Sequence, residues 1–297
     1  LNPQLPLLLD TSQAPSIKMG SFLSPLRYPG GKGWMLEYVR LWFSLGLGHV
    51  REFVEPFCGG ASVGLFVAAQ GLADHVSLYE LDPNVAAVWQ TIINDEGGLD
   101  WLLDKLAGFQ FNEAAARWWL ARDPASLDSR ERAFWTILYN RLSFGGSMAG
   151  GSGLGKLGRS GYKGGGWNSL WNIEVVCRRL KKLAPLRDRI SFAQADALEL
   201  LPELPARSTT AVLLDPPYTA GKRRPGRRLY NHATIDHERL FTLAATIPNV
   251  LLTYDDDDAV REMAAQHGFS YKPITMRNNK HQQQQELFIS HDLGWLV

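Results

Sequence analysis

The order of apolar segments predicts an α/β fold built on a parallel sheet, interrupted by an inserted helical and glycine-rich region. Three observations carry this expectation. Short apolar strands alternate with helical stretches from about residue 50 to residue 90, and the same alternation returns after about residue 186. The residues between follow neither pattern.

Taken in order, residues 34–47 place apolar groups at helical spacing and end near Gly46 and Gly48. Glu52-Phe53-Val54-Glu55-Pro56-Phe57 reads as a strand running into a turn, Ala61 to Ala69 as a helix, and Val76-Ser77-Leu78-Tyr79-Glu80 as a second strand. A further helix starts near Pro83, because proline suits a first helical turn. Residues 100–142 read as helical, with Trp118-Trp119 and Phe134-Trp135 as paired aromatics, and residues 145–166 hold 11 of the 28 glycines. Ile190-Ser191-Phe192 and Ala211-Val212-Leu213-Leu214 then read as strands. Helix 236–246, strand 250–254, helix 257–267 and two closing strands, 271–276 and 286–290, complete the pattern. The expected organisation is a loose leader over 1–20, an α/β domain from 21–100 and 183–297, and an insert over 101–182.

Composition excludes several classes. With 45% hydrophobic and 21% charged residues among 297, the chain can bury a core and is not wholly disordered. Lys plus Arg is 31 and Asp plus Glu is 30, so a uniformly basic coat protein and an acidic tail protein are both excluded. Cys58 and Cys177 are too few for a disulfide framework or a cysteine zinc site. No stretch approaches the roughly 20 apolar residues that span a bilayer. The Leu7-Leu8-Leu9 run is too short for a secretory signal and has no basic residue before Lys18. The expected compartment is the cytoplasm, with no membrane partner. The seven histidines form no ligand-spaced pair with a carboxylate, so no metal is expected; Asp255 to Asp258 reads as a helix cap.

The sharpest motif is Asp215-Pro216-Pro217-Tyr218, directly after the apolar strand 211–214. Ligand chemistry in open α/β sheets sits at the carboxyl ends of strands. Two prolines lack N–H donors and stiffen the turn. Such a turn can present a carboxylate, a carbonyl and an aromatic face to one planar ligand, which matches an amino group on a heteroaromatic base. An ordinary strand-ending turn is the bland alternative.

A second motif, Glu55-Pro56-Phe57-Cys58-Gly59-Gly60, puts paired glycines at a strand-to-helix junction, where a cofactor can approach the backbone closely. About 20 residues on, Asp82 stands where an acidic residue can hold ribose hydroxyls, and it also suits a helix N-cap. The third is Arg27-Tyr28-Pro29-Gly30-Gly31-Lys32. Neither this segment nor Gly155-Lys156 is a phosphate loop, because Gly33 and Leu157 stand where Ser or Thr should bind magnesium.

In order and spacing, these three motifs closely resemble the Dam-type (alpha-group) S-adenosylmethionine-dependent DNA adenine-N6 methyltransferases, over about residues 24–290. The resemblance implies a Rossmann-like class I methyltransferase sheet with a target-recognition region between its halves. S-adenosyl-L-methionine is the implied cofactor and double-stranded DNA the implied partner, with a monomer expected and a dimer left open. Tyr28 and Lys32 would hold the methionine end, Lys32 through its carboxylate. Glu55, Phe57, Cys58 and Gly59 would line the same pocket, Asp82 would hold the ribose, and Asp196 would contact the cofactor's adenine. Asp215, Pro216, Pro217 and Tyr218 would form the catalytic turn. In it, Asp215 and the Pro216 carbonyl grip the target N6 amino group and Tyr218 stacks on the flipped base.

Charge is segregated in a way that suits this partner. Residues 141–189 carry ten basic and two acidic side chains, residues 216–230 five basic and none acidic, which leaves −12 elsewhere in a chain of +1. The DNA-contacting residues expected from these blocks are Asn140, Arg141, Lys156, Arg159, Lys163, Lys222, Arg223, Arg224, Arg227 and Arg228. The glycine-dense stretch to Gly166 and the basic loop Lys222 to Arg228 depart from the family pattern, so the target sequence stays open. The same chemistry on cytosine N4, RNA or a protein glutamine is the second reading, and a catalytically silent DNA-binding relative the third. Asp at 215 favours adenine.

Overall fold

Seven strands form one sheet in the order β3-β2-β1-β4-β5-β7-β6. The computed structural model describes residues 23–28, 30–143, 146, 148, 170–204, 207–217, 234–277 and 283–296. The strands are β1 (Val50–Glu55), β2 (Ala73–Glu80), β3 (Ile190–Gln194), β4 (Thr210–Leu214), β5 (Val250–Asp255), β6 (Ser270–Arg277) and β7 (Gln283–Ser290). The first five pair in parallel, and β7 runs antiparallel to both β5 and β6. This order, with one reversed strand between β5 and β6, is the Rossmann-like class I methyltransferase sheet. Every strand lies within a few residues of its sequence expectation.

The chain winds outward from β1 to β2 and β3, then returns to place β4 on the other side of β1. The carboxyl ends of β1 and β4 therefore border the topological switch point, where an open sheet leaves a crevice.

Ten helices are described: α1 (Leu36–Leu41), α2 (Ser62–Gln70), α3 (Pro83–Trp89), α4 (Gly98–Gly108), α5 (Glu113–Leu120), α6 (Ser129–Leu142), α7 (Ile173–Leu183), α8 (Ala197–Leu200), α9 (His237–Ala244) and α10 (Asp258–Gln266). Their starts follow local chemistry. The side chains of Asp82, Asn112, Asp128, Asp196, Asp236 and Asp257 each accept a backbone N–H as N-caps. None of the described helices is long and apolar enough to cross a membrane.

The described helices between 98 and 183 are not set apart from the sheet. Leu102, Phe134, Ile137, Leu138 and Leu180 are buried in the same apolar cluster as Phe53, Leu65 and Val76 of the sheet layer. A second cluster, on the other side, joins Val54, Val212, Leu214 and Leu252 to Phe241 and Val260 of α9 and α10. The central strands β1, β4 and β5 are thus apolar on both faces, which is why strand 211–214 reads as a continuous apolar run.

Candidate active site

The turn after β1 is built for close approach. Gly59 has φ +45°, and a Cβ there would stand 2.5 Å from the Tyr28 ring, so the ring of the upstream motif lies directly on the glycine turn. Ala61 is also left-handed, at φ +50°, which costs a residue with a Cβ about 1–2 kcal/mol. The turn is held from three sides. The Gly59 N–H donates to Glu80 Oε2 at 2.9 Å, the Cys58 N–H to the Tyr79 carbonyl at 2.9 Å, and Trp89 Nε1 to the Gly59 carbonyl at 2.8 Å. Cys58 is buried, which pushes its thiol well above the usual range. Phe57 is half-buried against the second apolar cluster.

Glu55 ends β1 with its carboxylate turned inward. Oε2 accepts the Gly64 N–H at 2.8 Å, and a Cβ at Gly64 would meet that oxygen at 2.6 Å, so only glycine lets α2 pack this close. Burial raises the Glu55 carboxyl to about 8, against the pull of the Gly64 N–H, and the nearby Asp215 adds to the rise. Glu80 ends β2 in the same manner. Its two oxygens accept from Gly59 N and Asp82 N at 2.9 and 2.8 Å, and burial lifts it to about 7. Asp82 is buried too, with Oδ1 accepting from Asn84 N at 2.8 Å as the cap of α3.

Asp215 follows β4 at the switch point, with Pro216 buried behind it. Its Oδ1 accepts from Thr253 Oγ1 of β5 at 2.7 Å and lies 3.1 Å from Lys32 Nζ. Lys32 is 4% exposed and also lies 3.2 Å from Glu286 Oε2 of β7. Its expected role was to hold the cofactor's carboxylate. In the structure the ammonium stands between Asp215 and Glu286 and also donates to the Gly30 carbonyl at 3.2 Å.

Three motifs far apart in sequence thus converge: Tyr28 and Lys32, Glu55 with Cys58 and Gly59, and Asp215 with Pro216 and Pro217. Asp196, which caps α8 through Leu198 N at 2.8 Å, is exposed beyond the end of β3. Pro29, Phe144, Gly145, Tyr218, Lys156, Arg159, Lys163, Lys222, Arg223, Arg224, Arg227 and Arg228 lie outside the described residues.

Two residues expected at a DNA surface are interior. Asn140 is fully buried. Its Nδ2 donates to the Arg27 and Gly146 carbonyls at 2.7 and 2.8 Å, and its Oδ1 accepts the Arg27 N–H at 2.8 Å. The amide pairs with a backbone as a strand would, and it fixes the segment that carries Tyr28. Asn140→Ala is expected to lower stability by about 2–4 kcal/mol, because it removes three hydrogen bonds to the backbone of Arg27 and Gly146 in a buried or part-buried setting. A change of melting temperature under about 2 °C would contradict this role.

Arg141, 5% exposed, donates Nε and Nη2 to the Leu170 carbonyl at 3.1 and 2.9 Å. Burial, then the neighbouring Arg27 and Arg179, lower its guanidinium to about 10. Arg179 in turn donates Nη1 to the Ser24 carbonyl at 2.8 Å. Arg141 therefore belongs to a cationic group around the 24–28 segment and is not itself an exposed contact.

Glu80, Thr253 and Glu286 were missed in the sequence. A lone Thr in Val250-Leu251-Leu252-Thr253-Tyr254 and a lone Glu ahead of Leu287-Phe288-Ile289 were the available signals, each a polar break in an apolar strand.

No protein-family model matches the chain, and no curated protein matches it in sequence. Two solved structures of the rRNA methyltransferase aviRa from Streptomyces viridochromogenes are similar. One aligns with a TM-score of 0.38 and 12% identity over 95% of this chain and 92% of that chain. The other aligns at 0.37 and 11% over 88% and 85%. Superpositions this loose carry no argument about substrate or site, and the fold assignment stands on the strand order.

Proposed function

We propose that this chain transfers a methyl group from S-adenosylmethionine to the N6 amino group of adenine in DNA. The observation that carries the reading is Asp215, fixed through Oδ1 at the end of β4 in the switch-point crevice and followed by two prolines. An adenine amino group is a poor nucleophile because its lone pair is delocalised into the ring. Asp215 and the Pro216 carbonyl accept its two N–H bonds, which draws the nitrogen toward tetrahedral geometry and frees the lone pair. Holding the amino group in line accounts for much of the rate, since good alignment is worth about 7–11 kcal/mol. Tyr218 replaces stacking lost when the base leaves the duplex.

The residues present fit a cationic nucleoside cofactor. Buried carboxylates of Glu55, Glu80 and Glu286 stand around the crevice with Asp215 and one buried ammonium, Lys32. S-adenosylmethionine supplies an electrophilic methyl on a sulfonium, whose positive charge suits this excess of carboxylates. Glu80, the last residue of β2, and Asp82, the cap of α3, are the carboxylates placed for the ribose role in this reading. The glycine turn at Gly59, with Tyr28 beside it, lets the cofactor approach the backbone.

A consequence is testable by calorimetry. A bound cation favours ionised carboxylates, and Glu55 and Glu80 hold protons up to about pH 8 and 7. S-adenosylmethionine binding is expected to release protons near pH 7 and to tighten as pH rises from 6 to 9. Equal binding heats in buffers of different ionisation enthalpy, with a flat affinity over that range, would count against this carboxylate set.

The reading itself is tested by incubating the protein with radiolabelled S-adenosylmethionine and unmethylated DNA, then separating the nucleosides. Label in N6-methyldeoxyadenosine is expected, with DNA affinity falling steeply with salt as backbone contact by basic blocks requires. Label only in N4-methylcytosine, label only when RNA replaces DNA, or no label from folded protein would each overturn it.

A further inference from the structure

Glu286 lies on β7, paired with Asp255 of β5 and Ile274 of β6, and is followed by the buried apolar residues Leu287, Phe288 and Ile289. It is 5% exposed, and its Oε2 is 3.2 Å from Lys32 Nζ. The same ammonium is 3.1 Å from Asp215 Oδ1, which also accepts from Thr253. A buried ion group of this kind is a poor way to stabilise a fold, since apolar residues of similar volume do as well or better. Its place against Asp215 gives it a different use.

We propose that Glu286 is a positioning residue for methyl transfer, holding Lys32 between itself and Asp215 so that the catalytic carboxylate is fixed without being neutralised. The proposal rests on the amino-methylation reading above and adds a residue to it. Lys32 and Thr253 together set the rotation of Asp215 through Oδ1. An oxygen that already accepts two hydrogen bonds has no lone pair for a third, so Oδ2 is assigned to the amino group. Charge decides the rest. An isolated Asp215–Lys32 pair sums to zero, whereas Asp215, Lys32 and Glu286 sum to −1. Transfer moves positive charge onto the amino nitrogen beside Asp215, and a net anion there stabilises it better than a neutral pair does. Burial raises the Glu286 carboxyl, Lys32 draws it down, and Asp215 and Asp255 raise it again, so Lys32 is the neighbour that favours its ionised form.

The test is Glu286→Gln in the full chain, with kcat taken per folded molecule and the folded fraction read by circular dichroism at the assay temperature. The near-isosteric amide still accepts a hydrogen bond from Lys32, so a purely structural role predicts no change. The expected result is a kcat lower by about 10- to 100-fold, the size of one partly buried charge interaction. KM for DNA and for S-adenosylmethionine should stay within about threefold. The groups facing Glu286 are Lys32, Asp215 from β4 and Asp255 from β5, with Ile274 on the β6 side. Unchanged kcat with active wild type overturns the positioning role and leaves the function standing, as does a loss in kcat matched by an equal change in KM. Wild type that transfers no methyl group to any amino acceptor overturns the function, and the positioning role with it.

Discussion

Asp215→Ala is expected to lower methyl transfer by on the order of 10³-fold or more while the protein stays folded. The loss follows from removing the acceptor that both orients the amino group and faces the charge developing on it. The fold survives because the deletion takes away one of two carboxylates beside Lys32, and Glu286 remains at 3.2 Å as a one-to-one partner. Thr253 loses its acceptor at a cost of about 1–3 kcal/mol. Asp215→Asn is expected to be nearly as inactive, since its NH2 would confront the donors of the substrate. Single-turnover transfer from labelled S-adenosylmethionine, beside a thermal melt, checks both. A variant within about tenfold of wild type would remove Asp215 from the chemistry.

Lys32→Met carries the largest expected effect on stability, about 3–5 kcal/mol at pH 8. The exchange keeps the length and packing of the side chain but leaves the buried Glu286 and the partly buried Asp215 without their shared cation. The sign of the pH dependence follows. In the variant, Glu286 loses the cation that draws its raised carboxyl down, so its folded-state pKa rises further above the unfolded value and folding takes up a proton. The deficit against wild type is then largest above both pKa values and shrinks as pH falls and the carboxyls protonate in place. Melting temperatures of both proteins at pH 8.0 and 5.5 measure this. A deficit of equal size at both pH values would mean that the loss comes from packing and not from charge. Adding Glu286→Gln to Lys32→Met should recover part of the deficit at pH 8, because it removes one of the two orphaned charges.

Much of the architecture was legible in the chain because local patterns report local structure. The strands were visible as short apolar runs, and Asp82 and the Asp255–Asp258 run were visible as helix starts. Position after a strand was enough to single out Asp215, since strand ends are where an open sheet leaves its backbone accessible. The same reasoning failed where a side chain's partner lies far along the chain. Asn140 and Arg141 stand on a helix beside a basic, glycine-dense stretch, and that context read as surface. The structure turns Asn140 onto the backbone of Arg27, 113 residues away, a pairing that no periodicity encodes. Asp82 met a spacing rule for ribose contact and caps α3, while Glu80, whose carboxylate reaches the glycine turn, met no rule that a linear pattern carries.

The amino-acid sequence alone determined the alternating strands and helices, the glycine turn after β1 and the Asp-Pro-Pro-Tyr turn after β4, all of which depend on neighbours a few residues apart. Tertiary structure alone decided what those pieces do to one another. Only the return of β4 to the flank of β1, and of β7 between β5 and β6, brings Glu286 and Asp215 to the same ammonium. Burial then sets the carboxyls of Glu55 and Glu80 near neutrality. Burial and charge proximity are properties of three-dimensional neighbourhoods, and a one-dimensional pattern does not carry them.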